Sequence, residues 1–342
     1  MRTVSIAFSE CYRSGWIIGL STTVLLGVIF FVPEGSHATE DAGPFGEPVP
    51  ESRILDRIDG SRDYLSQKVV NFSKGIDQFF GDERYFQEHN KSVVKLYLND
   101  TMEQGGSNTF RFEGRAKLDL PAAKQRFHLV LESDPERTTT GEVSKDQPVV
   151  LKGDAAPPAE KYAASVRYET AEEGLWHFSS DAGIKLRFPL NPFVRARGSY
   201  AIPIGEWRLK ITETLFWFNT IGLGETTQLD LERVLSAPVL FRATSTATCM
   251  RSPQNCALQQ NLSIFHTLNE RSSLAYQASV IGTNKPKLEE TAYVLLMRYR
   301  YRMYEEWVFV EISPQLHFPK TDDFKLNALL LFRLEMLIGG TR

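Results

Sequence analysis

Long apolar runs are nearly absent from this sequence of 342 residues, in which hydrophobic residues make up 42% and charged residues 24%. A membrane-spanning helix needs about 20 consecutive apolar residues. Only the stretch from Trp16 to Val32 approaches that length, which excludes a helical membrane protein with several spans. Metal-ligand spacings such as Cys-x-x-Cys and His-Glu-x-x-His are also missing, so we expect no metal and no other cofactor.

The one apolar stretch lies near the N-terminus. Two arginines precede it, and Ser36-His37-Ala38 follow it with small residues at the first and third positions. A basic flank, an apolar stretch and such small residues are typical of a secretory signal peptide. We therefore expect residues 1–38 to be a cleaved signal; an uncleaved anchor helix is the alternative.

Cysteine is scarce, with three in the whole chain, and Cys11 belongs to the expected signal. Cys249 and Cys256 flank a short polar stretch that contains Pro253. Two cysteines around one short loop of an exported chain favour a disulfide over a pair of free thiols. The bond should stabilise the fold by less than the ~3 kcal/mol expected for a fifteen-residue loop, because a shorter loop loses less chain entropy.

Alternation with a period of two dominates the second part of the chain. Between Phe110 and Leu120, apolar or small residues take every even position and charged residues every odd one. This period is typical of a β-strand with unlike faces. About ten residues in a tilted strand are also enough to cross the core of a bilayer.

The same pattern recurs in fourteen segments after Ser92, the eighth beginning at Thr226 and the last spanning Phe324–Ile338. We predict an all-β protein in which residues 92–342 form a transmembrane, antiparallel up-and-down β-barrel of about 14 strands. Twelve or sixteen strands are the alternatives. An even number places both barrel ends on one side, with short turns there and longer loops, such as Pro135–Glu160, on the other.

A soluble β-sandwich or lipocalin-like barrel also has alternating strands. Two features favour the membrane protein: one apolar face recurs around the whole set, and aromatic residues lie near strand ends, as at a membrane interface. These aromatic residues are Trp176, Phe178, Trp207, Trp217, Tyr299, Tyr301, Trp307 and Phe324.

The segment ahead of the strands has a different character. Residues 39–52 are acidic and rich in proline and glycine, which is typical of a flexible leader. From Leu65 to Phe80, apolar residues recur in steps of three and four, and Gly81 ends the run. We expect residues 53–91 to be a helical segment. It would plug the barrel, cap its periplasmic mouth, or lie on the inner leaflet of the outer membrane.

The signal, the alternation and the long last strand resemble a Gram-negative outer-membrane β-barrel protein of the porin-like type. The chain departs from that pattern by ending on Gly339-Gly340-Thr341-Arg342 rather than on an aromatic residue. The resemblance implies the cell outer membrane as location and no enzymatic activity. It implies outer-membrane lipid, lipopolysaccharide and the barrel-assembly machinery as partners, and no nucleic acid.

If even positions of the second strand face lipid, its odd positions face the interior. A lipid-facing Arg or Lys at mid-depth would destabilise the barrel by about 2–4 kcal/mol, so the charged side chains should point inward. This register predicts a lumen lined mainly by basic residues. The candidate lumen residues are Arg111, Glu113, Arg115, Lys117, Arg126, Arg167, Lys185, Arg187, Arg195, Arg197, Arg208, Lys210, Arg298, Arg300, Arg302 and Glu311.

One residue conflicts with this register: Glu213 falls on the lipid face, so we expect a bulge or an interfacial depth at that position.

The interior charges have two interpretations. Acids and bases on neighbouring strands form ion pairs that hold a barrel open, or the excess of arginine, above all Arg298, Arg300 and Arg302, selects anions. We expect a channel or transporter for small anionic solutes. The alternatives are a non-conducting envelope scaffold or an export partner for a surface polymer or protein, and, least favoured, a hydrolase using histidines such as His128 and His177.

Overall fold

The computed structural model describes residues 69, 71–80, 92–106, 108–119, 126–140, 162–170, 175–186, 188–252, 254–305 and 307–339. The expected signal, the leader and residues 53–68 of the helical segment lie outside the described residues. Within the described part of the chain, no helix is long and apolar enough to span a membrane.

Fourteen strands and three short helical elements make up the described fold. Residues 71–79 are helical and are named α1. The six-residue helix α2 is Pro135–Thr140, and a 3-10 turn covers Lys320–Asp322. The strands are β1 Val93–Glu103, β2 Asn108–Asp119, β3 Phe127–Ser133, β4 Tyr162–Glu169, β5 Trp176–Lys185, β6 Asn191–Ile204, β7 Trp207–Phe218, β8 Gly222–Ser236, β9 Val239–Met250, β10 Asn255–Asn269, β11 Ser272–Thr283, β12 Glu289–Tyr304, β13 Val308–Pro319 and β14 Asn327–Gly339.

The strands form one closed antiparallel barrel in which each strand pairs with its neighbours along the chain. The first and last strands complete the ring in a continuous register that runs from Val93 opposite Gly339 to Glu103 opposite Leu329. A closed ring leaves no strand edge unpaired, which hydrocarbon requires because it offers backbone groups no other partner. The prediction of a 14-stranded up-and-down barrel is confirmed.

Three local predictions were inaccurate. The eighth strand begins at Gly222 rather than Thr226. The last strand begins at Asn327, because the 3-10 turn is followed by Asp323 and Phe324 with positive φ angles of 53° and 55°, which no strand accommodates. The predicted loop after β3 begins with α2.

The outer wall of the barrel is an apolar belt. On β2, Phe110 and Phe112 are 69% and 42% exposed, whereas the alternate residues Arg115 and Lys117 are buried. Soluble proteins rarely expose so many contiguous large apolar side chains, whereas the hydrocarbon of a bilayer solvates them. Exposed aromatic residues near strand ends, such as Trp176, fit the interfacial girdle of a transmembrane barrel.

The barrel has two unlike rims. The near rim carries both barrel ends, Val93 and Gly339, and tight connections such as the turn at Gly205. The far rim carries the connection that begins with α2 and the β9–β10 hairpin. At that hairpin, Cys249 lies directly opposite Cys256 and forms a disulfide across the strand pair, with a Cα–Cα distance of 4.0 Å, which confirms the predicted bond.

Gly224 occupies an inward position of β8 where no larger residue fits. It pairs with Phe216 of β7, and a Cβ atom on Gly224 would lie 2.5 Å from the Phe216 ring and 2.9 Å from the carbonyl oxygen of Cys249. The absence of a side chain therefore lets the Phe216 ring lie over the strand.

We predict that Gly224→Ala lowers the free energy of unfolding by about 1–3 kcal/mol, because the new methyl group overpacks the wall. Gly198→Ala is the matched control, since a Cβ there meets nothing within 4 Å. Urea titration of the protein refolded in lipid vesicles measures both. Equal stability of the two variants would contradict the close approach.

Candidate functional site

The candidate site is the interior of the barrel, into which most charged strand residues point. Among the residues that the structure describes, the buried charged side chains comprise eleven bases and eight acids. The bases are Lys95, Arg115, Lys117, Arg167, Lys185, Arg195, Lys210, Arg242, Arg298, Arg300 and Arg333, and the acids are Asp77, Glu132, Glu169, Asp181, Asp230, Glu232, Glu311 and Glu335.

Helix α1 lies against the inner wall in the half of the barrel next to the near rim. The helix has two unlike faces: Ile76 and Phe80 are buried, whereas Asn71, Lys74 and Gln78 are exposed. This is the amphipathic pattern of a helix that packs one side on a wall and turns the other to water. The described contacts of α1 are therefore with inward side chains of the wall.

A polar contact fixes α1 to β8 and β9. Arg242 on β9 donates a 2.6 Å hydrogen bond to Asp77 and a 3.1 Å bond to Ser73 of the helix. The Ser73 hydroxyl donates to Glu232 on β8 at 2.9 Å, and Arg242 donates to the same glutamate at 2.8 Å. All four side chains are buried, so each needs the others to compensate for lost hydration.

An aromatic contact fixes the end of α1 to β10 and β13. The Phe80 ring lies 5.4 Å from Phe265, and the Phe79 ring lies 5.8 Å from Phe309 in an edge-to-face arrangement. Phe80 also belongs to a buried cluster with Ile76 and residues of β9 and β11. Burial of two aromatic rings contributes several kcal/mol to the docking of the helix.

The arginine row on β12 is divided between this helix and the wall. Arg298 lies over the Phe80 ring at 5.1 Å and Arg302 over the Phe79 ring at 5.7 Å, as cation–π pairs. Arg300, between them, donates a 2.6 Å hydrogen bond to Glu335 of β14 and is fully buried. Arg300 therefore belongs to an ion pair of the wall, as in the ladder interpretation that the sequence left open beside the anion filter.

A second network crosses β2 to β6. Arg195 donates to Asp181 at 2.9 Å and to Glu132 at 2.5 Å. Nearby, Lys117 binds Glu169 at 2.5 Å. These contacts are the acid–base ladder that the sequence left open as an alternative to a filter.

Helix α2 enters this network from the far rim. Arg195 donates a 3.0 Å hydrogen bond to the Thr139 hydroxyl, and Thr226 on β8 donates to the Thr139 carbonyl at 3.2 Å. Lys185 on β5 forms an ion pair with Glu136 of α2. These contacts hold the first residues of the far-rim connection against the inner wall, at β5 and β6 and at β8.

The structure distributes the predicted lumen residues as follows. Arg115, Lys117, Arg167, Lys185, Arg195, Lys210, Arg298, Arg300 and Glu311 are buried; Arg111, Glu113, Arg197, Arg208 and Arg302 are partly exposed on inward positions. Arg126 is exposed one residue before β3, and Arg187 lies outside the described residues.

Sequence reasoning missed the polar anchors of the site. Ser73 and Asp77 are four residues apart, on the same helix face as Ile76 and Phe80. The position of these two polar residues within the apolar stripe was the signal from which the polar contact could have been predicted. Lys95 on β1 is a further buried base that the candidate set omitted.

Of the two histidines considered for a hydrolase, His128 has a carboxylate partner on the neighbouring strand. His128 Nδ1 lies 2.8 Å from Asp119 Oδ1 and is fully buried. Among the described residues, no cluster of three potential metal-ligating side chains occurs.

Comparison with known proteins gives distant structural likenesses. No family model and no curated protein sequence matches the chain. The chain is similar to Pseudomonas putida OprB, with 10% identity, a TM-score of 0.45, and coverage of 75% of this chain and 96% of that chain. It is similar to the outer membrane channel DcaP of Acinetobacter baumannii, with 9% identity, a TM-score of 0.41, and coverage of 72% and 96%. A bacterial polysaccharide outer membrane secretin gives 11% identity, a TM-score of 0.42, and coverage of 72% and 98%.

We predict that Arg195→Ala lowers the free energy of unfolding by about 3–5 kcal/mol, because the buried carboxylates of Glu132 and Asp181 lose the guanidinium group that bridges them. Arg233→Ala is the control: Arg233 pairs with Glu206 at an exposed position, where the loss should stay within about 1 kcal/mol. Urea titration in vesicles gives both values, and a small effect at Arg195 would contradict a dry ion-pair network.

Proposed function

We propose that the protein is an outer-membrane channel for small anionic solutes, whose bore is narrowed by α1 from the periplasmic side. The observation that carries the proposal is the position of α1, where Phe80 and Phe79 cover Arg298 and Arg302 of β12. The helix thus occupies the inner wall where fixed positive charge is concentrated.

The charge of the interior supports anion preference. The buried side chains of the described residues include eleven bases and eight acids, although the whole chain has a net charge of −3. A narrow bore with low-dielectric walls focuses the field of such an excess, which raises the local concentration of anions. Guanidinium groups also match carboxylate and phosphate oxygens in geometry.

The placement of α1 supports regulation from one side. The near rim carries both ends of the barrel, and bacterial single-chain barrels hold that side in the periplasm. The described helix has nine residues, about 14 Å at ~1.5 Å per residue, and it docks through one polar and one aromatic contact. Breaking both contacts frees it without opening any pair of strands.

A second candidate is a non-conducting scaffold or export partner. It is favoured by the ion-pair network from β2 to β6, which joins α2 to the wall and fills part of the interior. The two candidates differ in one measurable quantity, the ionic current through the reconstituted protein.

We predict that Phe79→Ser with Phe80→Ser raises single-channel conductance or open probability, because α1 loses its aromatic contact with the wall. The removed burial is worth several kcal/mol, enough to shift a closed helix to a mostly displaced one. Planar-bilayer recording of the full-length protein measures the change.

Gln78→Ser is the control for this experiment, since Gln78 is exposed on the same helix. It should leave the current at the wild-type level. Current that is absent from every form would reject the channel and favour the scaffold. Equal, steady currents in all three proteins would retain a channel but reject the regulating role of α1.

We predict that Arg298→Gln with Arg302→Gln shifts the reversal potential in a KCl gradient toward cation preference, because two interior positive charges are lost. The Phe79→Ser and Phe80→Ser background should enlarge the shift, since the helix no longer covers these side chains. Arg300 is left intact because its replacement would remove the hydrogen-bond donor of the buried Glu335 carboxylate.

Lys320→Gln with Lys325→Gln removes the same charge outside the bore, from exposed far-rim positions. This pair should leave the reversal potential unchanged. A reversal potential that responds to neither pair would contradict the selective role of the β12 arginines.

A further inference from the structure

A group of four neighbouring polar side chains lies on the outer face of the described barrel, where lipid should lie; Asp100 on β1 and Glu225 on β8 are further outward acids. Glu213 on β7, Thr227 on β8, Ser245 on β9 and Gln260 on β10 all occupy outward positions, as the register of these neighbouring strands shows. We call this set the outer polar patch. Across the barrel, the outward residues of β12 to β14 include Leu295, Ile312, Leu316, Leu330, Phe332 and Leu334.

The predicted bulge at Glu213 is wrong. The registers of β7 with β6 and with β8 run through Glu213 without a shift. Glu213 lies between Trp207 and Trp217 of the same strand, about 13 Å along the strand from Trp217 at ~3.3 Å per residue. A girdle tryptophan on each side indicates that the carboxyl group faces the hydrocarbon region.

Hydrogen bonds within the outer polar patch use only some of its donors and acceptors. Thr227 donates a 2.7 Å hydrogen bond to Glu213, and Ser245 donates to the Gln260 carbonyl oxygen. Within the described strands, Thr227 is the one donor to the Glu213 carboxylate, which has room for several. The Gln260 amide nitrogen reaches a single acceptor, the Asn261 carbonyl at 3.4 Å.

We propose that the outer polar patch is the contact surface for a second copy of this chain within the membrane. Polar groups that face lipid are costly, and hydrogen bonds across a protein contact remove that cost. The patch therefore marks a sector of wall that is covered by protein rather than by lipid.

The patch is complementary to itself, which is why a second copy fits it. Two copies inserted with the same orientation are related by an axis along the membrane normal. A two-fold axis of this kind brings β7 of each copy opposite β10 of the other, so that each contact occurs twice. The unfilled acceptor on Glu213 then meets the unfilled donor on Gln260.

The side chains between these strands allow a close approach. Ala243 and Ala247 are the outward neighbours of Ser245 on β9, and Ala247 pairs with Thr227. Small residues at a contact in a membrane let two backbones come together, so hydrogen bonds of short side chains can span the gap.

The test counts copies of the full-length, fluorescently labelled protein in lipid bilayers by single-molecule photobleaching over a dilution series. The wild type should bleach in two steps. Glu213→Leu with Gln260→Leu should weaken the association at least tenfold and give mainly one step. This variant should still fold, because apolar residues suit a lipid-facing wall; heat-dependent mobility on a denaturing gel checks the barrel.

Asp100→Leu is the matched control. Asp100 is an outward acid on β1, opposite the outward residues Phe110 and Phe332 and seven strands from β8. It should retain two-step bleaching. One-step bleaching of the wild type at all dilutions, or a double variant that associates as tightly as the wild type, would overturn the proposal. Neither result depends on conductance.

Discussion

The hydrogen bonding between β1 and β14 is the constraint on which the structure depends. A membrane-spanning sheet with open edges would expose backbone groups to hydrocarbon, and only closure removes those edges. The continuous register from Val93 to Glu103 closes the ring. Once the ring is closed, every strand has one face toward lipid and one toward the interior. The period of two in the sequence then decides the chemistry of each side.

The interior is organised by compensation of charge. Buried charges are stable only when partners replace their hydration. Arg195 and Arg300 meet this condition within the wall, through carboxylates on other strands. Arg242 meets it partly through Asp77 of α1, so the wall and the helix share one network. The same physical requirement that stabilises the barrel therefore also holds a separate segment inside it.

The sequence was sufficient to predict the barrel and about 14 strands, with twelve or sixteen left open, because alternation is a local signal that fourteen segments repeat. It was less informative about the site. The arginines of β12 suggested a filter. The docking of Phe79 and Phe80 on Arg302 and Arg298 could not be predicted, because it depends on contacts that no local pattern records. Glu213 was recognised as an exception, but its partner Thr227 became visible only from the strand pairing.

We infer that α1 lies within the barrel, on the strands that carry the interior arginines. The most direct measurement replaces Phe79 with the photoreactive analogue benzoylphenylalanine in the full-length protein. Illumination of membranes that contain it is followed by mass spectrometry of the cross-linked peptides. We expect a link to the part of β13 around Phe309, whose ring lies 5.8 Å from the ring of Phe79. Links to lipid or to other proteins, with none to the barrel wall, would contradict it.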